Sequence, residues 1–187
     1  MPESKRILNV GCGKDTYGTD FVDVYPVREG VLKCNLEEEN LPYPKDTFDE
    51  VYAKFVFEHM KDPNTFLKRM RYVMKDGGRL ILMTDNAGCW VFHSPVKFLY
   101  ARQHYENEVR EGNLDRHYAL YTPMHIENHL AAAGFRDAKA EYMWFENKTT
   151  TLKNGVLFGA LTAFARILSF VLPKKTAYPH IRATATK

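Results

Sequence analysis

Residues 6–13 read Arg6-Ile7-Leu8-Asn9-Val10-Gly11-Cys12-Gly13, a short apolar run that ends on a glycine turn. Such a run is a buried strand, and the glycines let the backbone bend where a side chain would obstruct it. Working outward, Thr19–Val24 and Val31–Leu36 read as two more short strands, separated by a Pro-Gly segment around Pro26 and Gly30. The acidic and then proline-punctuated stretch 37–47 reads as loop. Phe48–Ala53 is a fourth strand, and Asp62-Pro63 signals a helix start, an N-cap acid before a first-turn proline. Phe66, Leu67, Met70, Val73 and Met74 keep the helical period, and Gly77-Gly78 is expected to stop that helix before a strand over Leu80–Met83. Thr122-Pro123 opens another helix with Ile126, Leu130 and Ala133 inward and Gly134 as its cap. A strand near 138–145 follows. The alternation predicts an α/β domain, a doubly wound and mostly parallel sheet that binds ligands at the carboxyl ends of its strands.

Composition sets the frame for that reading. At 187 residues, against about 150 per domain, one domain over 1–187 is expected. With 45% apolar and 26% charged residues the chain falls outside disordered and disulfide-stapled classes. A formal charge of +3 is too small for wholesale nucleic-acid coating. Cys12, Cys34 and Cys89 contain no C-x-x-C pair and are odd in number, which points to a reducing cytoplasm. The start lacks the long apolar region of a signal peptide.

The glycine turn has several candidate owners. A dinucleotide fingerprint G-x-G-x-x-G needs glycine at position 16, which is Thr16, and the G-K-[ST] of a phosphate loop is absent. A strand, a G-x-G turn and Asp23 at the end of the next strand remain. That carboxylate can accept from two vicinal ribose hydroxyls, so a nucleoside without a pyrophosphate fits.

These residues resemble a known family, the small class I S-adenosylmethionine-dependent methyltransferases of the L-N-x-G-C-G, methyltransferase type 11-like branch. The resemblance is carried by Leu8-Asn9-Val10-Gly11-Cys12-Gly13, Val22-Asp23, Cys34-Asn35-Leu36, Leu41-Pro42-Tyr43-Pro44, Phe48-Asp49-Glu50-Val51, Phe57-Glu58-His59, Arg71 through Gly78, Tyr121-Thr122-Pro123 and Ala133-Gly134-Phe135. It covers roughly the first 135 residues in order. It implies a Rossmann-like sheet with an antiparallel last strand, for which Tyr178–Lys187 is the candidate, and S-adenosyl-L-methionine as cofactor. Implied cofactor residues are Asn9, Gly11, Cys12, Gly13, Asp23, Val24, Asn35, Leu36 and Phe55. Gly11 and Gly13 would face the methionine part, Asp23 the ribose, and Asn35 with the Leu36 backbone the adenine, while Phe55 to His59 would line the methionine and acceptor side. Asp15 stands in place of a third glycine, and only ten positions separate Gly13 from Asp23, so a very short first helix is expected.

The implied reaction is methyl transfer to a small-molecule or lipid-linked acceptor. Glu58, His59, Asp85 and His117 are the candidates for a base or acceptor contact. Glu58-His59 also reads as a plain helix-start pair. Rival readings are an inactive binding or scaffold protein, an RNA methyltransferase and a nicotinamide oxidoreductase. No appended RNA-binding module or strong basic run supports the second.

His125 and His129 lie four apart, as on a two-histidine metal face, but no third ligand is evident and H-E-x-x-H is not spelled, so no metal is expected. Glu37-Glu38-Glu39 reads as a solvated run. Residues 88–121, rich in aromatics and histidines, read as a helical insertion, either a substrate lid or core. Val156–Leu172 reads as an apolar helix with a narrow polar strip, inserted before the last strand. Seventeen residues with a central arginine make a poor membrane span. The two expected roles are docking on the body or in a dimer, and peripheral contact with the inner face of a membrane.

Overall fold

The computed structural model describes residues 4–92, 117–144, 167 and 170–187. Seven strands form one sheet: β1 (Ile7–Val10), β2 (Asp20–Asp23), β3 (Val31–Lys33), β4 (Phe48–Lys54), β5 (Met74–Asp85), β6 (Arg136–Met143) and β7 (His180–Thr186). Their order is β3-β2-β1-β4-β5-β7-β6. The first five run parallel, and β7 enters antiparallel between β5 and β6. Order reverses at β1, so the ends of β1 and β4 flank the point where a doubly wound sheet opens a crevice. The sheet is the expected α/β arrangement with an antiparallel end.

Among the described residues, two helices cover one face. In α1 (Pro63–Val73), Asp62 accepts from the Thr65 amide at 3.0 Å, Pro63 occupies the first turn, and Phe66, Leu67, Met70 and Val73 are buried. A short helix α2 (Ala87–Phe92) follows β5. Helix α3 (Pro123–Ala132) is capped by Thr122 and buries Ile126 and Leu130. The buried side chains of α1 and α3 share one core with Leu8, Val10, Val51, Ala53, Leu80, Leu82, Ile181, Ala183 and Ala185, together with Phe48 and Phe57. A single turn, α4 (Lys174–Ala177), leads into β7.

Three local expectations give way. The helix before β5 ends at Val73, and Met74 is already extended (φ −76°, ψ 144°), because it pairs with Phe48 at the start of the β4–β5 ladder. β5 therefore runs through Gly77, whose φ of 75° makes a bend inside the strand and not a helix stop. No helix forms between β1 and β2. Gly13 and Gly18 both hold positive φ, and the four residues between them cannot nucleate one. Gly134 (φ 87°) follows the cap of α3, which is Ala133.

A parallel sheet is ordinarily covered on both faces. Here the segments β1–β2, β2–β3 and β3–β4 are all free of helix, and the face away from α1 carries Asn9, Glu50, Tyr52 and Lys54. Loop 11–19 covers part of it. Asn9 Nδ2 donates to the Tyr17 carbonyl at 2.9 Å, and the Tyr17 ring packs on Tyr52 with centroids 4.8 Å apart. Most of the expected 88–121 insertion and of the apolar segment 156–172 lies outside the described residues. Among the described residues, no helix is long and apolar enough to cross a membrane.

Candidate active site

The carboxyl ends of β1, β2 and β4 surround a cleft of about 310 Å³ lined by Gly11, Asp23, Val24, Tyr25, Asn35, Leu36, Glu37, Glu38, Phe55, Val56, His59, Met60, Lys61 and Tyr118. That volume lies at the lower end of small-molecule sites. Gly11 holds φ 63°, and a Cβ there would meet Val56 Cγ2 at 2.3 Å. The amides of Gly11 and Cys12 both donate to the Val22 carbonyl, which binds the turn to β2.

Asp23 sits at the end of β2. Its Oδ2 accepts from the Gly13 amide at 2.7 Å and its Oδ1 from the Tyr25 amide at 2.8 Å. Each carboxylate oxygen keeps capacity for a further donor, so the group can brace the turn and still receive hydroxyls. Asn35 Oδ1 accepts from the Glu37 amide at 3.1 Å, and its own amide donates to Glu39 Oε2 at 2.7 Å. Glu37 Oε1 accepts from the Lys61 amide at 2.8 Å. Glu38 and Glu39 are exposed, as the solvated reading expects, while Glu37 folds back on the chain, and Glu37 and Glu38 form part of the cleft wall.

Of the residues expected at a cofactor, Gly11, Asp23, Val24, Asn35, Leu36 and Phe55 line this cleft. Asn9, Cys12 and Gly13 do not. Asn9 is buried and committed to the Tyr17 carbonyl, the Cys12 thiol is buried against the Gly13 carbonyl, and Gly13 offers its amide to Asp23. Phe55 holds φ 55°, uncommon for a bulky residue, and its ring meets His180 edge-on at 4.7 Å.

Beyond Phe55 the chain makes one 3-10 turn, Phe57–His59. Phe57 is driven into the core, which carries Glu58 to 1% exposure. Glu58 Oε2 accepts from Thr84 Oγ1 at 2.8 Å, and the Glu58 carbonyl accepts from the Tyr118 amide at 2.8 Å. Burial, with the charge of Asp85 adding to it, pushes the Glu58 carboxyl up to about 7. Asp85 Oδ1 lies 3.0 Å from His180 Nδ1, and its Oδ2 lies 3.8 Å from His117 Nδ1. The His59 and His117 rings stand edge to face at 4.6 Å. The four candidates for the acceptor side therefore gather into one cluster, with His59 on the cleft wall.

Sequence reasoning missed Tyr25, Lys61, Tyr118, Thr84 and His180. His180 carried a topological signal: an antiparallel last strand places its first residue beside the carboxyl end of its neighbour, as Asp85 opposite His180 shows. His129, by contrast, packs against Phe57 and Tyr121 and meets Asn64 Oδ1 at 2.9 Å.

Residues 1–140 match the family model described as a methyltransferase domain. The chain belongs to that family. The chain is 27% identical over 165 residues to phosphoethanolamine N-methyltransferase 3 of Arabidopsis thaliana, a match covering 75% of this chain and 31% of the relative. It is 30% identical over 101 residues to the ubiquinone biosynthesis O-methyltransferase of Bradyrhizobium sp. (strain ORS 278), covering 43% of this chain and 40% of the relative. It thus spans well under half the length of either protein. Among solved structures it superposes on an S-adenosylmethionine-dependent methyltransferase from Archaeoglobus fulgidus (TM-score 0.61, 18% identity, 98% of this chain and 86% of the other). It also superposes on one from Mesorhizobium loti (TM-score 0.62, 14% identity, 100% and 94%). The fold is that of the S-adenosylmethionine-dependent class I methyltransferases.

Proposed function

We propose that the protein transfers the methyl group of S-adenosylmethionine to a small-molecule acceptor. The observation that carries this is the cleft at the switch point of the sheet, where Gly11, Asp23, Asn35, Leu36 and Phe55 converge in a member of the methyltransferase domain family. The residues fit the cofactor: a Cβ-free turn that leaves the backbone open, a carboxylate with spare acceptor capacity for ribose hydroxyls, and an aromatic ring suited to a sulfonium. S-adenosylmethionine supplies an electrophilic methyl on that sulfonium. The chain's part is to hold donor and acceptor at reacting distance, an arrangement worth up to about 7–11 kcal/mol. Glu58, His59, Asp85 and His117 form the polar ground that receives the acceptor.

A finer reading concerns where the acceptor resides. Ile167, Phe170 and Val171 are 65%, 87% and 81% exposed, and Lys174 and Lys175 follow them. Apolar side chains bordered by lysines suit an anionic bilayer surface, and this favours a lipid-linked acceptor met at the inner face of the membrane by a cytoplasmic enzyme.

Titration calorimetry with S-adenosylhomocysteine tests the central claim. Saturable heat and thermal protection are expected; silence at millimolar ligand overturns it.

A further inference from the structure

We propose that Glu58, His59 and His117 form a binding site for a divalent transition-metal ion of the zinc type, at the end of the cleft opposite Asp23 and Asn35. Each of the three side chains offers one ligand atom, and these atoms lie within 4.8 Å of one another. Ligands at about 2.1 Å from a tetrahedral ion stand about 3.4 Å apart, so modest rotation of two imidazoles closes the set. Two nitrogens and one carboxylate oxygen are a donor set that zinc accepts in sites with a fourth position open.

The surroundings are those of an outer shell. Thr84 Oγ1 holds one carboxylate oxygen of Glu58 at 2.8 Å and so fixes the orientation of that group. Asp85 Oδ2 stands 3.8 Å from His117 Nδ1, and Asp85 is itself held by His180 at 3.0 Å, so a carboxylate lies beside one of the two imidazoles. The backbone fixes the two contributing segments to each other, because the amides of Tyr118 and Ala119 both donate to the Glu58 carbonyl. His59 also lines the cleft, so the set of ligands borders the space open to a small molecule.

Only the use of the ion rests on the methyl-transfer reading; its binding does not. An acceptor hydroxyl on the open position becomes more acidic and gives its proton to solvent water. The oxygen lone pair then forms the new O–C bond while the C–S bond breaks with its electron pair on sulfur, leaving a neutral thioether.

The test uses the full chain, freed of metal by chelator and titrated with zinc chloride by calorimetry, then with cobalt(II) followed by its visible ligand-field bands. One ion per chain is expected. H59A and H117A should each weaken zinc binding at least 10- to 100-fold, D85N should weaken it less, and H125A, removing an exposed histidine on α3, should change nothing. H59Q and H117Q, with circular dichroism, guard against a variant that fails to fold. No zinc heat, or binding equally strong in H59A/H117A, overturns the proposal. Calorimetry with S-adenosylhomocysteine on the same chelated protein separates the claims: heat from that ligand with zinc silent removes the metal site alone, and zinc heat without it removes the methyl-transfer reading alone.

Discussion

The Tyr17 hydroxyl donates to Glu50 Oε1 at 2.5 Å, across the face of the sheet where other folds of this kind lay a helix. Lys5 Nζ donates to the second oxygen of the same carboxylate at 2.8 Å, so Glu50, 1% exposed, is served from both sides. Asn9 fastens the Tyr17 carbonyl from below. A loop of residues 11–19 thereby does the work of a covering element, using hydrogen bonds to a buried acid in place of an apolar helix stripe.

Removing that brace has a readable cost. Y17F keeps the ring contact with Tyr52 and deletes the bond to Glu50, and we expect a loss of about 1 kcal/mol, since the tyrosine is partly exposed. N9A, which removes the buried Asn9 amide from the Tyr17 carbonyl, should cost about 1 kcal/mol. Urea unfolding measures both; unchanged midpoints would show that the loop contributes nothing.

Asp23→Ala should weaken S-adenosylhomocysteine binding by about 1.5–3 kcal/mol, roughly 10- to 150-fold, the value of charge-assisted hydrogen bonds. Calorimetry showing equal affinity would remove the ribose assignment. Thermal unfolding of the same variant, read beside the calorimetry, separates loss of the ligand contact from loss of the turn that the Gly13 and Tyr25 amides make with this carboxylate.

Gly11→Ala should destabilise by about 2 kcal/mol or more, through both its φ of 63° and the 2.3 Å approach to Val56 Cγ2. If the clash matters, G11A in a V56A background should cost less than G11A alone, and a double-mutant cycle reads the difference. Strict additivity would leave only the backbone strain.

The bidentate contact of Arg6 holds the Asp20 carboxyl below the usual carboxylate range. A depressed folded-state value means that the unfolded chain binds the proton more readily. The stabilisation is therefore present above the unfolded value near pH 4 and disappears as pH falls through the folded one. The guanidinium is half exposed, so the effect should be below about 1 kcal/mol. D20N should flatten the decline of stability below about pH 4, and an unaltered acid limb would count against this pair.

Phe170→Ser with Val171→Ser should reduce co-sedimentation with anionic vesicles several-fold while leaving S-adenosylhomocysteine binding intact. A concentration-dependent mass in solution, lost in the same variant and without vesicle binding, would instead make this patch a contact between copies.

Where a signal was local, it was readable. The apolar run before Gly11, the Asp62-Pro63 cap and the Thr122-Pro123 cap each act within one turn or strand, and the elements stand where those residues place them. Met74 misled because its spacing fits the helix while its partner, Phe48, is distant in sequence and takes it into the sheet. The cleft residues at strand ends could be anticipated from order alone. Lys61 and Tyr118 could not, since they reach the cleft through the turn after β4 and through the backbone bond of Tyr118 to the Glu58 carbonyl, whereas His180 follows from the antiparallel last strand.

That reversed strand also governs how the molecule is made. β7 lies between β5 and β6, so during synthesis both of its neighbours leave the ribosome before the piece that joins them. Until residues 180–186 emerge, β5 presents an open edge and β6 has no partner in the sheet, a state in which nascent chains associate with one another. The seam that β7 closes joins the edge strand β6 to the other five, so a cut that removes residues 180–186 leaves both β5 and β6 without that neighbour.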